Sequence, residues 1–270
     1  MSILFQYRTE NLIMHHSRDE LPPVPSSNVH DMHELYYFIA GRGQYCVEGN
    51  AYPLTPGCVI LIRAGEAHFA QIAPEPYERA VIHFRKLFFS KLDPEGLLTE
   101  PFTARPLGKR NLYTPERLNQ TLIRSCFDNM CKAPQEAHLG IICHLPLILY
   151  ELRRCFGGHA PELDAESADL IGQVIVYINE HLTESFQLPS LAKRFFINEA
   201  TLNRKFKEVT GATIWQYTLQ KRLFLARQRI AEGVPPTRAA ADCGWNDYSA
   251  FYRQYKSQFG LSPRAERASM

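Results

Sequence analysis

Histidine and glutamate side chains recur near the start of this 270-residue chain, in a pattern that could hold a polar ligand or a metal ion. His30, His33 and Glu34 stand close together, and His68 and His83 follow further along. A zinc or iron site would need three or four such groups converging around an open position. The first two histidines are too far apart for a His-x-His pair. The favoured roles are therefore hydrogen bonding to a polar molecule, or satisfied positions within the fold.

The last third of the chain carries side chains suited to a different task, the recognition of a polyanion. Its final 101 residues contain 14 Lys and Arg against 8 Asp and Glu, a net charge of +6, whereas the preceding 169 carry −4. Arg204 and Arg253 could each donate two hydrogen bonds to guanine, and Asn203 could pair with adenine. Lys207 and Lys256 come late in their predicted helices and suit contacts with phosphates.

The histidine-rich region has the pattern of a β-protein. Short apolar runs, rich in aromatic and β-branched residues, are separated by glycine and proline. Strands at this spacing predict a barrel or sandwich, and a small barrel can hold one small ligand. The predicted strands are Leu35–Ala40, Gln44–Val47, Ala51–Leu54, Val59–Ile62, His68–Ile72 and Ala80–Phe84.

From Thr114 onward the apolar residues recur with a helical period. Thr114 and Pro115 predict a helix start, with Thr as the N-cap. One apolar stripe on this helix is a predicted dimer face, since the next helix, over 135–156, already supplies a local core. That second helix is apolar nearly all round, which predicts burial on several sides. The stripe consists of Leu118, Leu122, Cys126 and Met130.

Two helix-turn-helix units are predicted in the basic region, each with a polar and basic outer face on its second helix. Asn198 is the predicted cap of the first of these second helices. A joining helix with Trp215 and Leu223 facing inward is about 30 Å long, close to one turn of B-DNA at about 34 Å. The predicted helices are Leu188–Phe195, Glu199–Val209, Thr213–Glu232 (the joining helix), Pro236–Asp242 and a last one that Asn246 opens, Asp247–Phe259.

This region resembles the DNA-binding domain of the AraC/XylS family over about 100 residues. The resemblance is carried by Thr201–Gly211, Arg222-Leu-x-x-Ala226, Gly244-Trp245, Phe251–Lys256 and Gly260-Leu-Ser-Pro263. In that family, both units read DNA through their second helix. The resemblance assigns DNA contacts to Ala200, Asn203 and Arg204 in the first unit and to Tyr248, Ser249, Tyr252 and Arg253 in the second.

Residues 30–84 resemble the cupin-like ligand domain of sugar-responsive members of the same family. The strand His30–Tyr37, the glycine turn 41–43, the turn Tyr52–Gly57 and the segment Ile60–His68 carry this likeness. It implies a carbohydrate-like effector inside the barrel and an N-terminal arm, about 20 residues long, over its mouth. The candidate lining residues are His33, Glu34, Tyr36, Phe38, Arg42, His68 and His83.

The expected architecture is α+β and multidomain. It comprises a cupin-like β-barrel with its arm in residues 1–112, a helical dimerisation segment in 113–157, a linker in 158–168 and an all-α double helix-turn-helix domain in 169–270. The resemblance implies a transcription regulator, of the activator kind, that responds to a small polar effector. Its expected partners are double-stranded operator DNA, a second copy of itself and RNA polymerase.

The alternative function is a metal-dependent cupin enzyme fused to a DNA-binding domain. Such an enzyme needs a complete metal triad or a nucleophile with its base, and the sequence shows neither. We therefore expect no enzymatic activity and no metal or other cofactor. The seven cysteines are odd in number and lack a C-x-x-C pair, which argues against a disulfide framework or a zinc ribbon. With no long apolar run and no signal-peptide pattern at its start, the chain is expected in the cytoplasm and away from membranes.

Overall fold

The first of two structural units is built on two antiparallel β-sheets. A computed structural model of the protein describes residues 2–21, 28–132, 134–156, 170–184 and 187–268. The chain divides into Met1–Ser26 with Asp31–Ser167, and Ser27–His30 with Ala168–Met270. The strands of the first unit are β1 Ser2–Arg8, β2 Leu12–Asp19, β3 His33–Ala40, β4 Gly43–Val47, β5 Asn50–Leu54, β6 Val59–Ile62, β7 His68–Ile72, β8 Tyr77–Phe84 and β9 Leu112–Tyr113.

The six predicted strands are all confirmed, as β3 to β8. The larger sheet has the strand order β1-β2-β8-β3-β6-β9, and the smaller has the order β5-β4-β7. Glycine allows the tight connections. Gly41 adopts a φ of 114°, and a Cβ there would lie 2.6 Å from the Cβ of Tyr77. The structure thus agrees with the cupin-like barrel inferred from the sequence.

Side chains alternate between the two faces of the larger sheet, as pleating requires. Along β3, Tyr36 and Phe38 pack in the core between the two sheets, and the Glu34 carboxylate meets the smaller sheet there. Leu35 and Tyr37 pack on the opposite face, in a second core shared with the helices. The inner face therefore carries both apolar and ionisable groups.

The N-terminal residues do not form the predicted arm over the barrel mouth. Residues 2–19 make β1 and β2, and β2 pairs with β8 along its whole length, from Leu12 opposite Phe84 to Asp19 opposite Tyr77. Buried Leu12 and Met14 join the core beneath the helices. The sequence does not predict this strand, because its second half, residues 15–19, is polar at every position and so shows no alternation.

Among the described residues, three α-helices complete the first unit: α1 Glu100–Thr103, α2 Gln120–Lys132 and α3 Ala137–Phe156. The predicted start at Thr114 is wrong. Pro115–Arg117 is a short 3-10 turn, Thr114 makes no side-chain cap, and Leu118 returns to extended backbone before α2 begins. The predicted linker lies outside the described residues.

The apolar faces of α2 and α3 are used differently from the prediction. Leu118, Cys126 and Met130 are buried in the core of their own subunit, so the stripe on α2 is not free to meet a second copy. The outer face of α3 is exposed instead, against the prediction of burial on several sides. It presents Leu139, Ile142, Cys143, Leu147 and Tyr150.

The second unit contains seven helices within its described residues. The prediction that Asn198 caps a helix is confirmed, since its Oδ1 accepts from the Ala200 backbone N–H at 2.9 Å. At the matching position of the second helix-turn-helix, the residue that caps the helix is Asp247 rather than the predicted Asn246. The helices are α4 Leu170–Glu180, α5 Leu188–Arg194, α6 Glu199–Thr210, α7 Ile214–Ala231, α8 Pro236–Asp242, α9 Tyr248–Phe259 and α10 Pro263–Ala268.

Helix α7 buries a different face from the predicted one at its start. Trp215, predicted to face inward, is 66% exposed, whereas Tyr217 is fully buried with its ring 5.4 Å from that of Phe206. Further along, Leu223 is buried as predicted, together with Ala226, in the core of the second helix-turn-helix. Within the described ranges, every helix is too short or too polar to cross a bilayer.

Candidate effector site and DNA-binding surface

Glu34 is the centre of a buried polar cluster between the two sheets. Its carboxylate accepts a hydrogen bond from the Tyr45 hydroxyl at 2.7 Å and lies 2.9 Å from Nε2 of His83 and 3.2 Å from Nε2 of His68. The cluster thus draws its side chains from two strands of the larger sheet, β3 and β8, and two of the smaller sheet, β4 and β7. One carboxylate gathers donors from β4, β7 and β8.

Two neighbours engage the ring nitrogens of His68 and shift its pKa. Its Nδ1 lies 2.8 Å from the backbone carbonyl of Glu66, and its Nε2 faces the Glu34 carboxylate, so both ring nitrogens meet acceptors. Burial alone would lower the pKa of His68, but the Glu34 carboxylate raises that pKa above its ordinary value. The Glu34 carboxylate therefore favours the protonated form of the buried His68 ring.

A second group of polar side chains lies on the same inner face of the larger sheet, next to the Glu34–His83 pair along the strands. The register places Ser17 opposite Arg79 and His15 opposite Val81, and it places Tyr36 opposite Val81 from the other side. Directly paired residues in an antiparallel sheet point to the same face. The cluster around Glu34 therefore continues into a row of polar side chains.

Two hydroxyls in this row are buried without a hydrogen-bond partner among the described residues, those of Ser17 and Tyr36. The Tyr36 ring lies 4.6 Å from that of Tyr45, which binds Glu34. An unpaired buried hydroxyl is costly, by about 1–3 kcal/mol. These two groups are thus suited to a molecule that can donate and accept hydrogen bonds.

Arg79 supplies the positive charge on this face. Its Nη1 donates to the Asp19 carboxylate at 2.7 Å, and its guanidinium lies 4.5 Å from the centre of the Tyr77 ring. Burial lowers the pKa of neighbouring His15 to about 4, and the charge of Arg79 adds to that effect. Sequence reasoning missed His15, Ser17, Asp19, Tyr45 and Arg79. Residues 15–19 are all polar, so the sequence does not indicate which of them face the barrel interior.

The structure brings together only some of the predicted lining residues. Glu34, Tyr36, Phe38, His68 and His83 share the inner side. His33 lies on the opposite face.

His33 packs 4.9 Å from the Phe102 ring and accepts a hydrogen bond from the Ala64 backbone N–H at 3.2 Å. Burial lowers the pKa of His33 to about 4, so it is a neutral member of the outer core. Arg42 is 80% exposed and pairs with Glu75 at 2.8 Å. Neither side chain reaches the cluster around Glu34.

The outer face of α6 carries most of the residues assigned to the first DNA contact. Ala200, Arg204 and Lys207 are exposed, and Arg204 pairs with Glu208 one turn later at 2.7 Å. Asn203 is half-buried, and its Oδ1 accepts from the Ile214 backbone N–H at 3.1 Å. It therefore ties α6 to the start of α7, and its acceptor oxygen is already engaged.

The outer face of α9 carries the second set. Ser249, Tyr252, Arg253 and Lys256 are exposed. Tyr248 is half-buried, with its ring 5.7 Å from that of the core residue Phe251. Helices α6 and α9 thus present basic and hydrogen-bonding side chains outward while their apolar sides anchor the two motifs.

The two units match two known domain families. Residues 22–139 match the family described as an AraC-like ligand binding domain, and residues 191–269 match a helix-turn-helix domain family. The chain belongs to the AraC family of transcription regulators, and it is a DNA-binding regulator with a ligand-binding domain rather than an enzyme.

Among characterised relatives, the chain is similar to the HTH-type transcriptional activator RhaS of Yersinia pestis. The two are 23% identical over 249 residues, covering 89% of this chain and 88% of the relative. The DNA-binding domain of AdpA, solved with a target DNA, is 28% identical over 37% of this chain and 92% of that one, with a TM-score of 0.36. Fatty-acid-bound ToxT from Vibrio cholerae is 12% identical over 97% of both chains, with a TM-score of 0.40.

Proposed function

We propose that the first unit binds a small carbohydrate-like effector on the inner face of its barrel, and that this binding controls transcription. The unpaired hydroxyls of Tyr36 and Ser17, beside the cluster around Glu34, carry the proposal. A sugar offers hydroxyls that both donate and accept, which suits acidic, basic and phenolic partners on one face. Similarity to the activator RhaS supports a regulator of the same general kind.

The effector proposal predicts that Tyr36→Phe weakens ligand binding without harming the ligand-free protein. The Tyr36 hydroxyl has no partner among the described residues, so its removal relieves a buried polar group. A ligand whose hydroxyl loses this partner should bind about 5- to 150-fold more weakly, the equivalent of about 1–3 kcal/mol. A panel of monosaccharides is screened by thermal shift, and the responsive one is then titrated by calorimetry.

Two further variants are compared in the same titration, one expected to weaken binding and one control. His68→Ala removes the imidazole beside Glu34 and should also weaken binding, whereas Tyr150→Phe, on the exposed face of α3, should leave it unchanged. Equal affinity of wild type and Tyr36→Phe for the responsive sugar would place the ligand elsewhere. A panel in which no monosaccharide raises the unfolding temperature would contradict the effector class.

The second unit is proposed to read operator DNA through α6 and α9 in the cytoplasm, with RNA polymerase as a further partner. Arg204 and Arg253 are the proposed base readers, because each is exposed on the outer face of its helix. Lys207 and Lys256 are proposed to contact phosphates. Asn203 links α6 to α7 through the hydrogen bond that its Oδ1 accepts from the Ile214 backbone N–H. It could contact a base through this oxygen only by giving up that bond.

A second copy of the chain is the proposed partner of the outer face of α3. Four apolar side chains there are at least 41% exposed, and a contiguous patch of that kind marks an interaction site. The helix ends have opposite charge, with exposed Glu136 just before α3 and exposed Arg154 in its last turn. Antiparallel pairing with a second α3 would bring each Glu136 near Arg154 of the partner subunit. Such a two-fold contact is self-complementary. The apolar side chains are Leu139, Ile142, Leu147 and Tyr150.

Leu147→Glu is therefore expected to convert the dimer to a monomer at tens of micromolar, because two like charges would meet near the middle of the paired helices. Light scattering measures the mass directly. Thr121→Glu adds the same charge to the exposed side of α2 and should leave the dimer intact. A wild-type monomer, or an unchanged dimer in Leu147→Glu, would count against this interface.

A further inference from the structure

Arg222, in the middle of α7, connects parts of the second unit that are far apart in sequence. Its Nε donates to the Leu182 carbonyl at 2.7 Å, and its Nη2 donates to the Glu184 carbonyl at 2.6 Å. Its Nη1 donates to the Gly244 carbonyl at 3.1 Å. One guanidinium thus collects carbonyls from the segment after α4 and from the turn of the second helix-turn-helix.

Gly244 brings the same two segments into backbone contact. Its φ is 78°, and a Cβ built there would lie 2.7 Å from the Thr183 carbonyl oxygen and 3.1 Å from Cζ of Arg222. Any side chain would therefore collide with a backbone that is itself held by Arg222. We call Arg222, Gly244 and the backbone carbonyls of residues 182–184 the clamp. Within it, the turn at Gly244 lies directly against the backbone of Thr183, with no space for a side chain.

The first helix-turn-helix provides an internal comparison. Phe196 stands at the position in its turn that Gly244 takes in the second, two residues after the preceding helix ends and also with positive φ, 53°. In both turns the next backbone N–H returns to the preceding helix, from Ile197 and from Trp245. Phe196 is 97% exposed. The turn itself therefore accepts a large side chain, and it is the contact with residue 183 that demands glycine at 244.

The clamp matters because α7 is the covalent connection between the two motifs. A helix of 18 residues is about 27 Å long. Bending or twisting along that length would move α9 relative to α6, and a second attachment at mid-helix opposes such motion. The segment 182–184 is in turn joined to the first motif, since Tyr217 of α7 donates to Asn179 of α4 at 3.2 Å and Tyr177 of α4 lies 6.0 Å from Phe195.

We propose that the clamp fixes the separation of the two recognition helices and so determines which spacing between two major-groove segments the protein accepts. Arg222 is a positioning residue in this scheme and need not touch DNA. The proposal rests on α6 and α9 being the recognition helices. One added base pair moves the second segment by about 3.4 Å along the DNA and rotates it by roughly 35°. A rigidly held pair of helices cannot follow that change.

The test uses the full-length protein and an operator selected from random DNA by the wild type. Binding is then measured to that operator and to versions with one base pair inserted or deleted between the two contacted segments. Wild type should lose at least about tenfold in affinity for either altered operator, comparable to losing a base contact. Arg222→Lys keeps the charge but cannot reach three separate carbonyls. Its penalty for altered spacing should fall to about threefold or less.

Two variants test the second part of the clamp. Gly244→Ala should relax the spacing preference as Arg222→Lys does, whereas Phe196→Ala at the matching position of the first turn should keep the wild-type preference. DNA carrying one segment alone controls for simple unfolding, because both clamp variants should bind it as well as wild type.

Each outcome bears on a different claim. If randomising one of the two segments has no effect on wild-type affinity, the assignment of two recognition helices fails. If both segments matter but wild type accepts the altered spacing within about threefold, the clamp proposal is wrong, whatever the variants do. A folded Arg222→Lys with the full wild-type penalty would also overturn it.

Discussion

Arg105→Met is expected to lower the free energy of unfolding of the first unit by about 3–5 kcal/mol, the usual cost of leaving one partner of a buried ion pair alone. Arg105 and Glu66 form a two-bonded pair at 2.7 and 2.8 Å, and both side chains are fully inaccessible to solvent. Arg105 also donates to the Leu61 carbonyl, and Glu66 accepts from the Gly108 backbone N–H. The pair therefore attaches the segment before β9 to the barrel.

The expected measurement is calorimetric unfolding of the full chain. Both tryptophans, Trp215 and Trp245, lie in the second unit, so tryptophan fluorescence should report an unchanged transition while that of the first unit moves. Arg42→Met is the matched control. It removes an arginine from a solvent-exposed pair with Glu75 and should change stability little. A first unit equally stable in both variants would contradict the assigned role of the buried pair.

The same pair predicts how acid affects the first unit. Burial alone would raise the pKa of Glu66, but the Arg105 guanidinium and its hydrogen bonds hold that pKa below its ordinary value. A carboxyl with a lowered pKa stabilises the fold at pH values above its unfolded pKa, and this contribution is lost as the pH falls through the folded value. As the pH falls below about 4.5, the free energy of unfolding of the wild-type first unit should therefore approach that of Arg105→Met.

Replacing Arg204 and Arg253 together by Ala is expected to weaken operator binding by about 2–6 kcal/mol, at least roughly 30-fold. Each base-reading arginine contributes about 1–3 kcal/mol, and losses at separate sites usually add. The two side chains stand on different helices, α6 and α9, and both are exposed. Titration of labelled operator DNA gives the affinities, at one fixed salt concentration because binding depends strongly on salt.

The pattern of lost selectivity separates base contacts from phosphate contacts. Loss of a base reader should relax selectivity at one position per arginine, whereas Lys207→Ala or Lys256→Ala should weaken all sequences alike and reduce the salt dependence by about one counterion. Arg264→Ala removes an exposed arginine from α10, outside both motifs, and should have little effect. Unchanged selectivity in the double variant would indicate that both arginines contact phosphates instead of bases.

Much of the architecture could be predicted from local sequence. The strands β3 to β8 were found because glycine and proline interrupt their apolar runs at short, regular distances. The helix-turn-helix motifs were found because capping is local. Asn198 lies next to the backbone N–H groups that it binds, and Gly211 supplies the left-handed residue that ends α6. These features depend on residues within about four positions of one another, so the sequence displays them directly.

The proposed effector site depends on contacts that the sequence does not display. Glu34 and His33 are neighbours in the chain but face opposite sides of β3, and only the pairing register decides which of them meets the barrel interior. The polar face of β2 joins the site because that strand pairs with β8, about 65 residues away. The same long-range pairing makes a strand of the residues predicted to form an arm.

Helix packing was likewise decided by tertiary structure. Periodicity shows that α2 and α3 are apolar, but it cannot show which face the sheet covers, and the covered one proved to be the stripe of Leu118, Cys126 and Met130. Trp215 is exposed because Tyr217 takes the place against Phe206. Arg222 is part of the family pattern in the sequence, but its contacts with the backbone carbonyls of residues 182, 184 and 244 are visible only in the structure. Local patterns specify elements, whereas the choice among competing apolar and polar faces is made by packing between residues far apart in the chain.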